Sequence, residues 1–382
     1  MSRSSVQIRL SAPLEKLLFE FVGSFEKSDP MKSFGKTQSG QAVELFQLSN
    51  PSGMQVAICN YGGIVTRLLV PDREGNLGDV VLGYDSTAEY EADSAYFGAL
   101  IGRYGNRIAP GGFSLDGTVY RLTNNSTAND LPCHLHGGTE GFDRKVWQAE
   151  TVEDGESQGV KLTYHSADGQ EGYPGNLQVT VHYWLRSDNA LEIDYHAVTD
   201  QATPVSLTNH SYFNLRGEGN GTVLDHDLHI SADQYTPIDR GMIPTGELAP
   251  VAGTPFDFNK TQKMGSRIDD ESEQLSLAGG YDHNFVLHTE AGVPAHVATV
   301  SEPESGRKME VWTDAPGVQL YSGNFLDGSQ TGKSGQPYVN RGAFCLETQH
   351  FPDAPNQANF PCAILRPGAV YRTRTTYKFG LV

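Results

Sequence analysis

The sequence predicts an all-β fold, a large antiparallel β-sandwich, and three observations predict it. Short runs alternate apolar and polar residues along most of the chain, the two-residue period of a strand with one face in a core. Turn chemistry separates these runs, most clearly at Asn50-Pro51-Ser52-Gly53 and Asp116-Gly117, where the flanking strands must fold back on each other. Forty-two glycines and twenty prolines punctuate the chain with no fixed spacing, which argues for a sandwich of many strands over a blade or solenoid repeat.

Residues 1–30 read as an extension of different character. Leu14, Leu17, Leu18, Phe21, Val22 and Phe25 recur at helical spacing, the mark of a short amphipathic helix. Glu15, Glu20 and Glu26 interrupt it, against a cleaved signal peptide or an acid-poor mitochondrial presequence. Residues 31–382 form one β-sandwich domain, since large β-folds commonly run at this length. Its first hairpin joins 41–48 to 54–60, and a strand over 64–70 ends at Pro71-Asp72-Arg73-Glu74-Gly75-Asn76. Phe113-Ser114-Leu115 and Thr118-Val119-Tyr120 bracket Asp116-Gly117 as a second hairpin. Further strands are expected at 160–165, 177–185, 190–197, 227–230, 298–300, 308–313, 318–324 and 371–380.

A formal charge of −18 over 382 residues excludes nucleic acid and anionic membrane surfaces as partners and suits an uncharged small molecule. Cys59, Cys133, Cys345 and Cys362 show no C-x-x-C spacing, so neither a zinc knuckle nor a dithiol motif is present, and free thiols in a reducing compartment, the cytoplasm, are expected. Asn-x-Ser/Thr triplets at Asn124, Asn125, Asn209, Asn220 and Asn259 are attributed to chance. No apolar run is long enough to span a bilayer, which predicts a soluble protein.

The chemistry-bearing stretches are few. Leu207 to Leu215 reads as a strand placing Thr208, His210, Tyr212 and Asn214 on one face, bounded by Pro204 and by Gly217, Gly219 and Gly221; an imidazole there is held at a fixed point. Glu347 lies inside the apolar run Phe344-Cys345-Leu346, where an unpaired carboxylate is costly and so implies a partner or a task. A histidine and a glutamate across one pocket are the least equipment for moving one proton on and another off a substrate. In Gly98 to Ala109 the glycines lack the βαβ context of a phosphate cradle, and Gly102 and Gly105 instead let a tight turn aim Asn106 and Arg107 into a cleft. His134 and His136 have the i, i+2 spacing of metal ligands on a strand, but no completing ligands follow, so His136 beside Gly137-Gly138 reads better as a donor to a ligand hydroxyl. Asp282, at the head of an apolar strand, either caps a turn or accepts from two adjacent sugar hydroxyls. Gln319 is polar between Val318 and Leu320, and Tyr96, Phe97, Trp147, Tyr173, Tyr212 and Phe325 lie near these loops, most of them as core.

Six blocks, Gly102 to Ile108, Leu135 to Asp143, Thr208 to Leu215, Asp282 to Phe285, Gly323 to Gly328 and Leu346 to Gln349, resemble in order and spacing the aldose 1-epimerase (galactose mutarotase) family, over essentially residues 31–382. The resemblance implies a large β-sandwich with an open sugar-binding cleft, a monosaccharide substrate, no cofactor and no metal, in a monomer or homodimer. By position it makes His210 the general acid and Glu347 the general base, with Asn106, Arg107, His136, Tyr212, Asp282 and Gln319 holding the sugar. His210 is then expected to start protonated, its pKa raised by a neighbouring acid such as Asp282 or Glu347. The rival classes are a non-catalytic carbohydrate-binding sandwich, a glycoside hydrolase using Asp282 and Glu347, and a sugar-phosphate epimerase.

Overall fold

The alternation of buried and outward residues is cleanest in Leu177–Leu185, where Leu177, Val179, Val181, Tyr183 and Leu185 are buried and Gln178, Thr180, His182 and Trp184 face outward. This strand belongs to a nine-stranded antiparallel sheet in the computed structural model, which describes residues 31–382. The helix read over residues 14–25 lies outside the described residues.

In that sheet Gln148–Asp154, Ser157–Ser166, Leu177–Leu185 and Ala190–Thr199 run as a meander, and Tyr371–Leu381 joins it to Arg307–Thr313, Ala295–Ser301, Asp227–Ile230 and Gln262–Lys263. The C-terminal strand therefore sits in mid-sheet, paired on one edge with Ala190–Thr199 and on the other with Arg307–Thr313. Two five-stranded sheets complete the layers. One is the N-terminal meander from Met31–Lys36 to Leu77–Asp79; the other runs in the order Ala249–Pro250, Gln234–Tyr235, Asp282–Val286, Gly317–Tyr321 and Cys345–Gln349. One apolar cluster binds all three, with Val56, Ile58 and Leu68 from the meander, Val181, Ile193 and Tyr377 from the large sheet, and Phe285, Val318 and Leu346 from the third. The Tyr377 hydroxyl donates to the Leu346 carbonyl at 2.9 Å, tying the third sheet to the large one. This is the antiparallel sandwich the sequence predicts.

The hairpin at Asp116-Gly117 forms with φ of 51° and 82° at the two loop residues, the left-handed pair that a two-residue turn between twisted strands requires. Two short α-helices occur among the described residues. Ser86 caps Thr87–Ala92 by accepting the Glu89 amide, and Gly279 at φ 69° closes Glu273–Ala278. The strand expected over 318–324 stops at Tyr321, because Ser322 Oγ bonds back to the Tyr281 amide and carbonyl and Gly323 turns at φ 66°.

The strand expected over 207–215 is a correction: only Thr208–Asn209 is ladder. Asn209 Oδ1 accepts from both the amide and the hydroxyl of Ser211, and Asn214 Oδ1 from the Arg216 amide, so each asparagine turns the chain where a strand would continue. Between the two turns Phe213 bridges Val81 on one side and Phe344 on the other.

Candidate active site

Three strands of the third sheet pair in the register Asn284–Gln319–Glu347, with Asp282–Tyr321–Cys345 two residues along. Residues two apart share a face, so Phe285, Val318, Leu320 and Leu346 enter the core while Asp282, Gln319, Tyr321, Cys345 and Glu347 stand on the opposite face. His210 and Tyr212 come from the turned segment beside them. The His210 amide donates to the Ala99 carbonyl, its own carbonyl accepts from Gly98, and Asn209 Nδ2 fastens the same loop at Gly98. The loop before Asn106 passes so close to Phe142 that a Cβ at Gly102 would lie 2.3 Å from the ring, which is why glycine stands there. Asn106 is left-handed at φ 62°; its amide donates to His136 Nδ1 at 3.1 Å and its carbonyl accepts from the His136 amide at 3.0 Å.

These segments surround a cavity of about 370 Å³. Small-molecule clefts run from ~300 to ~1,000 Å³, so this one is sized for a single small ring. Asn106, Arg107, His136, His210, Tyr212, Asp282 and Glu347 line it. Gln319 does not: it is 2% exposed and donates Nε2 to Asp282 Oδ1 at 2.7 Å, standing behind the carboxylate. Asp282 Oδ2 faces Arg107 Nη1 at 3.5 Å, so both its oxygens are already engaged by protein. Among the described residues, five of the eleven non-glycine residues at positive φ line the cavity, namely Tyr96, Asn106, Asn129, His136 and Met242. Such conformations cost of order 1–3 kcal/mol each, and their gathering at one cleft makes it the candidate functional site.

At its floor His210 Nε2 lies 3.6 Å from Glu347 Oε1, both side chains almost wholly buried. Burial pushes the Glu347 carboxyl well above its usual range, with Asp282 adding to the rise and Arg107 opposing it. Burial likewise lowers His210 to about 4. The expectation that a neighbouring acid raises His210 is thus reversed, because burial disfavours the imidazolium more than the ring's hydrogen bond to its own carbonyl favours it. The His210 ring stacks with Tyr212 at 5.0 Å and Tyr96 at 6.0 Å, and meets His136 edge-on at 5.0 Å.

His136, His210 and Glu347 bring ligand atoms within 4.8 Å of one another, close enough to test as a metal site. His136 fails the test. Its Nδ1 accepts the Asn106 amide, and burial keeps the ring neutral, so the proton sits on Nε2 and no lone pair faces the cavity. That N–H is left to donate into the cavity. His134 takes no part: it is fully buried between the Thr123 carbonyl and the Tyr173 hydroxyl, each at 2.7 Å. Of the aromatics singled out in the sequence, Phe97, Trp147 and Tyr173 are core, whereas Tyr96 and Phe325 line the cleft. Sequence reasoning missed Tyr321, on the cavity wall, and Cys345, behind His210; the signal was their position two residues from Gln319 and Glu347.

A family model described as aldose 1-epimerase matches residues 44–378. The chain is 46% identical to a galactose mutarotase of Rattus norvegicus over 349 residues, covering 91% of this chain and 97% of that protein. It is 38% identical to an aldose 1-epimerase of Escherichia coli (strain K12) over 342 residues, covering 89% and 96%. Among solved structures, an aldose epimerase homologue from C. elegans superposes with a TM-score of 0.80 at 30% identity, covering 89% of this chain and all of that one.

Proposed function

The chain belongs to the aldose 1-epimerase family and interconverts the α and β anomers of free aldoses, and from that premise we propose that Glu347 and His210 carry the reaction as a base and acid pair. The observation that supports the pairing is the 3.6 Å between Glu347 Oε1 and His210 Nε2 on the cavity floor. Two oxygens on one anomeric carbon are close enough together for each to meet one of these groups. Glu347 takes the proton of the anomeric hydroxyl while His210 gives one to the ring oxygen, and the C1–O5 bond breaks to an open-chain aldehyde. Rotation about C1–C2 turns the other face of the carbonyl to O5. On closure His210 recovers its proton from O5 and Glu347 returns its own to O1, giving the opposite anomer.

One proton is shared by the pair throughout. Ring opening starts from the arrangement with that proton on His210 and ends with it on Glu347. Burial, which raises Glu347 and lowers His210, favours the second arrangement and so lowers the free energy of the ring-opened state relative to the first. Arg107, Asp282 and the His136 N–H are positioned to bind the remaining hydroxyls, with Asn106 fixing His136 and Gln319 fixing Asp282. Tyr212 holds the plane of His210 by stacking.

Galactose and glucose are the proposed substrates, in keeping with the galactose mutarotases among the relatives. Among the described residues lining the cavity Arg107 is the one Lys or Arg, and Asp282 already engages it, which favours an uncharged sugar over a sugar phosphate. Residues 31–382 are read as one domain because a single apolar cluster joins its three large sheets. The cytoplasm is proposed from four unpaired cysteines, and a monomer or homodimer from the resemblance alone.

Polarimetry on freshly dissolved α-galactose tests the pair. Glu347→Gln and His210→Ala are each expected to slow anomer interconversion by about 10²–10⁴-fold, the usual worth of a general acid or base. Near-normal rotation kinetics in either variant would overturn the mechanism.

A further inference from the structure

The two stacked tyrosines fix the plane of the His210 ring but leave open which nitrogen faces Glu347 and which carries the proton when the ring is neutral. The other nitrogen, Nδ1, meets Cys345 Sγ at 3.5 Å. Cys345 stands two residues before Glu347 on Cys345–Gln349, so one short strand touches both edges of the imidazole, with the thiol at Nδ1 and the carboxylate at Nε2. We propose that Cys345 is a positioning residue for His210, its sulfur holding the Nδ1 proton so that only the Nε2 proton moves during turnover. The proposal rests on His210 being the acid of the reaction.

Chemistry makes a sulfur suitable there. When the imidazolium gives its Nε2 proton to the ring oxygen, the neutral ring must keep hydrogen on Nδ1 and leave Nε2 bare, because ring closure hands the proton back to Nε2. An acceptor at Nδ1 secures that tautomer. A carboxylate would secure it too, but its charge would stabilise the imidazolium and weaken the acid. A neutral thiol is a weak acceptor, so it orients His210 and leaves it a strong enough acid for a weakly basic ether oxygen. The charged and titratable groups facing His210 are Glu347, His136, Tyr96, Tyr212 and Tyr321, and the acceptors within reach of Nδ1 are Cys345 Sγ at 3.5 Å and the carbonyl of His210 itself, so the sulfur is the one side chain that meets this nitrogen. Burial holds the thiol well above its usual pKa, so it stays protonated and uncharged beside the acid. The ordinary reading of a buried cysteine, a small apolar filler, explains its burial but not why an imidazole nitrogen faces it.

Cys345→Ala and Cys345→Ser test the role. Serine keeps an acceptor for Nδ1 and alanine does not, whereas for a filler the buried hydroxyl is the worse replacement. The proposal expects kcat to fall about 10- to 100-fold in Cys345→Ala with KM unchanged, part of the whole general-acid contribution, and Cys345→Ser to keep most of the activity. In protein with ¹⁵N-labelled imidazoles, neutral His210 should report an Nδ1–H tautomer in wild type and in Cys345→Ser, and shift towards Nε2–H in Cys345→Ala. Wild-type kcat and tautomer in Cys345→Ala, or Cys345→Ser slower than Cys345→Ala, would overturn it. His210→Ala serves as the control: if that variant stays active the acid assignment itself falls, and if it is inactive while Cys345→Ala behaves as wild type, only the role of Cys345 falls.

Discussion

The nine-stranded sheet and the cleft sheet obey the same antiparallel pairing but dispose of polar groups in opposite ways. On the large sheet polar side chains point outward and pair near solvent, as Arg374 does with Asp194 at 2.6 Å and Lys161 with Glu150 at 2.7 Å. On Gly317–Tyr321 and Cys345–Gln349 both faces are buried, and the cleft-side face carries Gln319, Glu347 and Gln349. Atoms of Asn284, Gln319, Glu347 and Gln349 find no protein partner there. Buried polar groups without partners cost stability, so the cleft sheet spends what the large sheet supplies. The difference separates residues kept for folding from residues kept for chemistry.

Substitutions should divide along that line. The largest effect is expected at Glu347→Gln, whose loss of activity should come with an unchanged or raised melting temperature, since a carboxyl already pushed towards neutrality by burial is exchanged for a neutral amide. Thermal melts beside polarimetry check this, and a lower melting temperature would break the division. Ile193→Ala, in the core of the large sheet, should do the reverse. It should cost about 2–5 kcal/mol in denaturant unfolding and leave kcat intact where the protein stays folded. Asp282→Ala falls between them: it should raise KM by roughly tenfold, on the scale of one lost charge-assisted contact, with a smaller fall in kcat, because Arg107 and Gln319 lose the group they meet. An unchanged KM would make Asp282 structural.

A further effect is graded, with pH. Burial lowers His226 and His350 to about 4 and His283 to about 3. His226 Nε2 accepts the Leu215 amide and His283 Nδ1 the Asp282 amide, so both are held neutral. A histidine with a depressed folded pKa contributes stability that is fully present above the unfolded value of 6.5 and is lost as pH falls towards 4. Each such group withdraws at most about 1.4 kcal/mol per pH unit in that window. Denaturant midpoints from pH 7 to 4 should fall steadily, and a His226→Gln variant should fall less steeply.

The sequence by itself determined the strands and their turns. The alternation in 177–185 and the Asp116-Gly117 loop are local, because strand period and left-handed φ are properties of a few neighbouring residues. It also marked Glu347, a carboxylate after an apolar run, and His210, on the polar face of a segment bounded by Pro204 and Gly217, both visible without coordinates. The tertiary structure alone decided how those groups stand. Gln319 withdrew behind Asp282, His134 went to the core, and Cys345 came to face His210. Above all it decided protonation, for a pKa follows from the water that neighbours exclude, and those neighbours come from strands far apart in the chain.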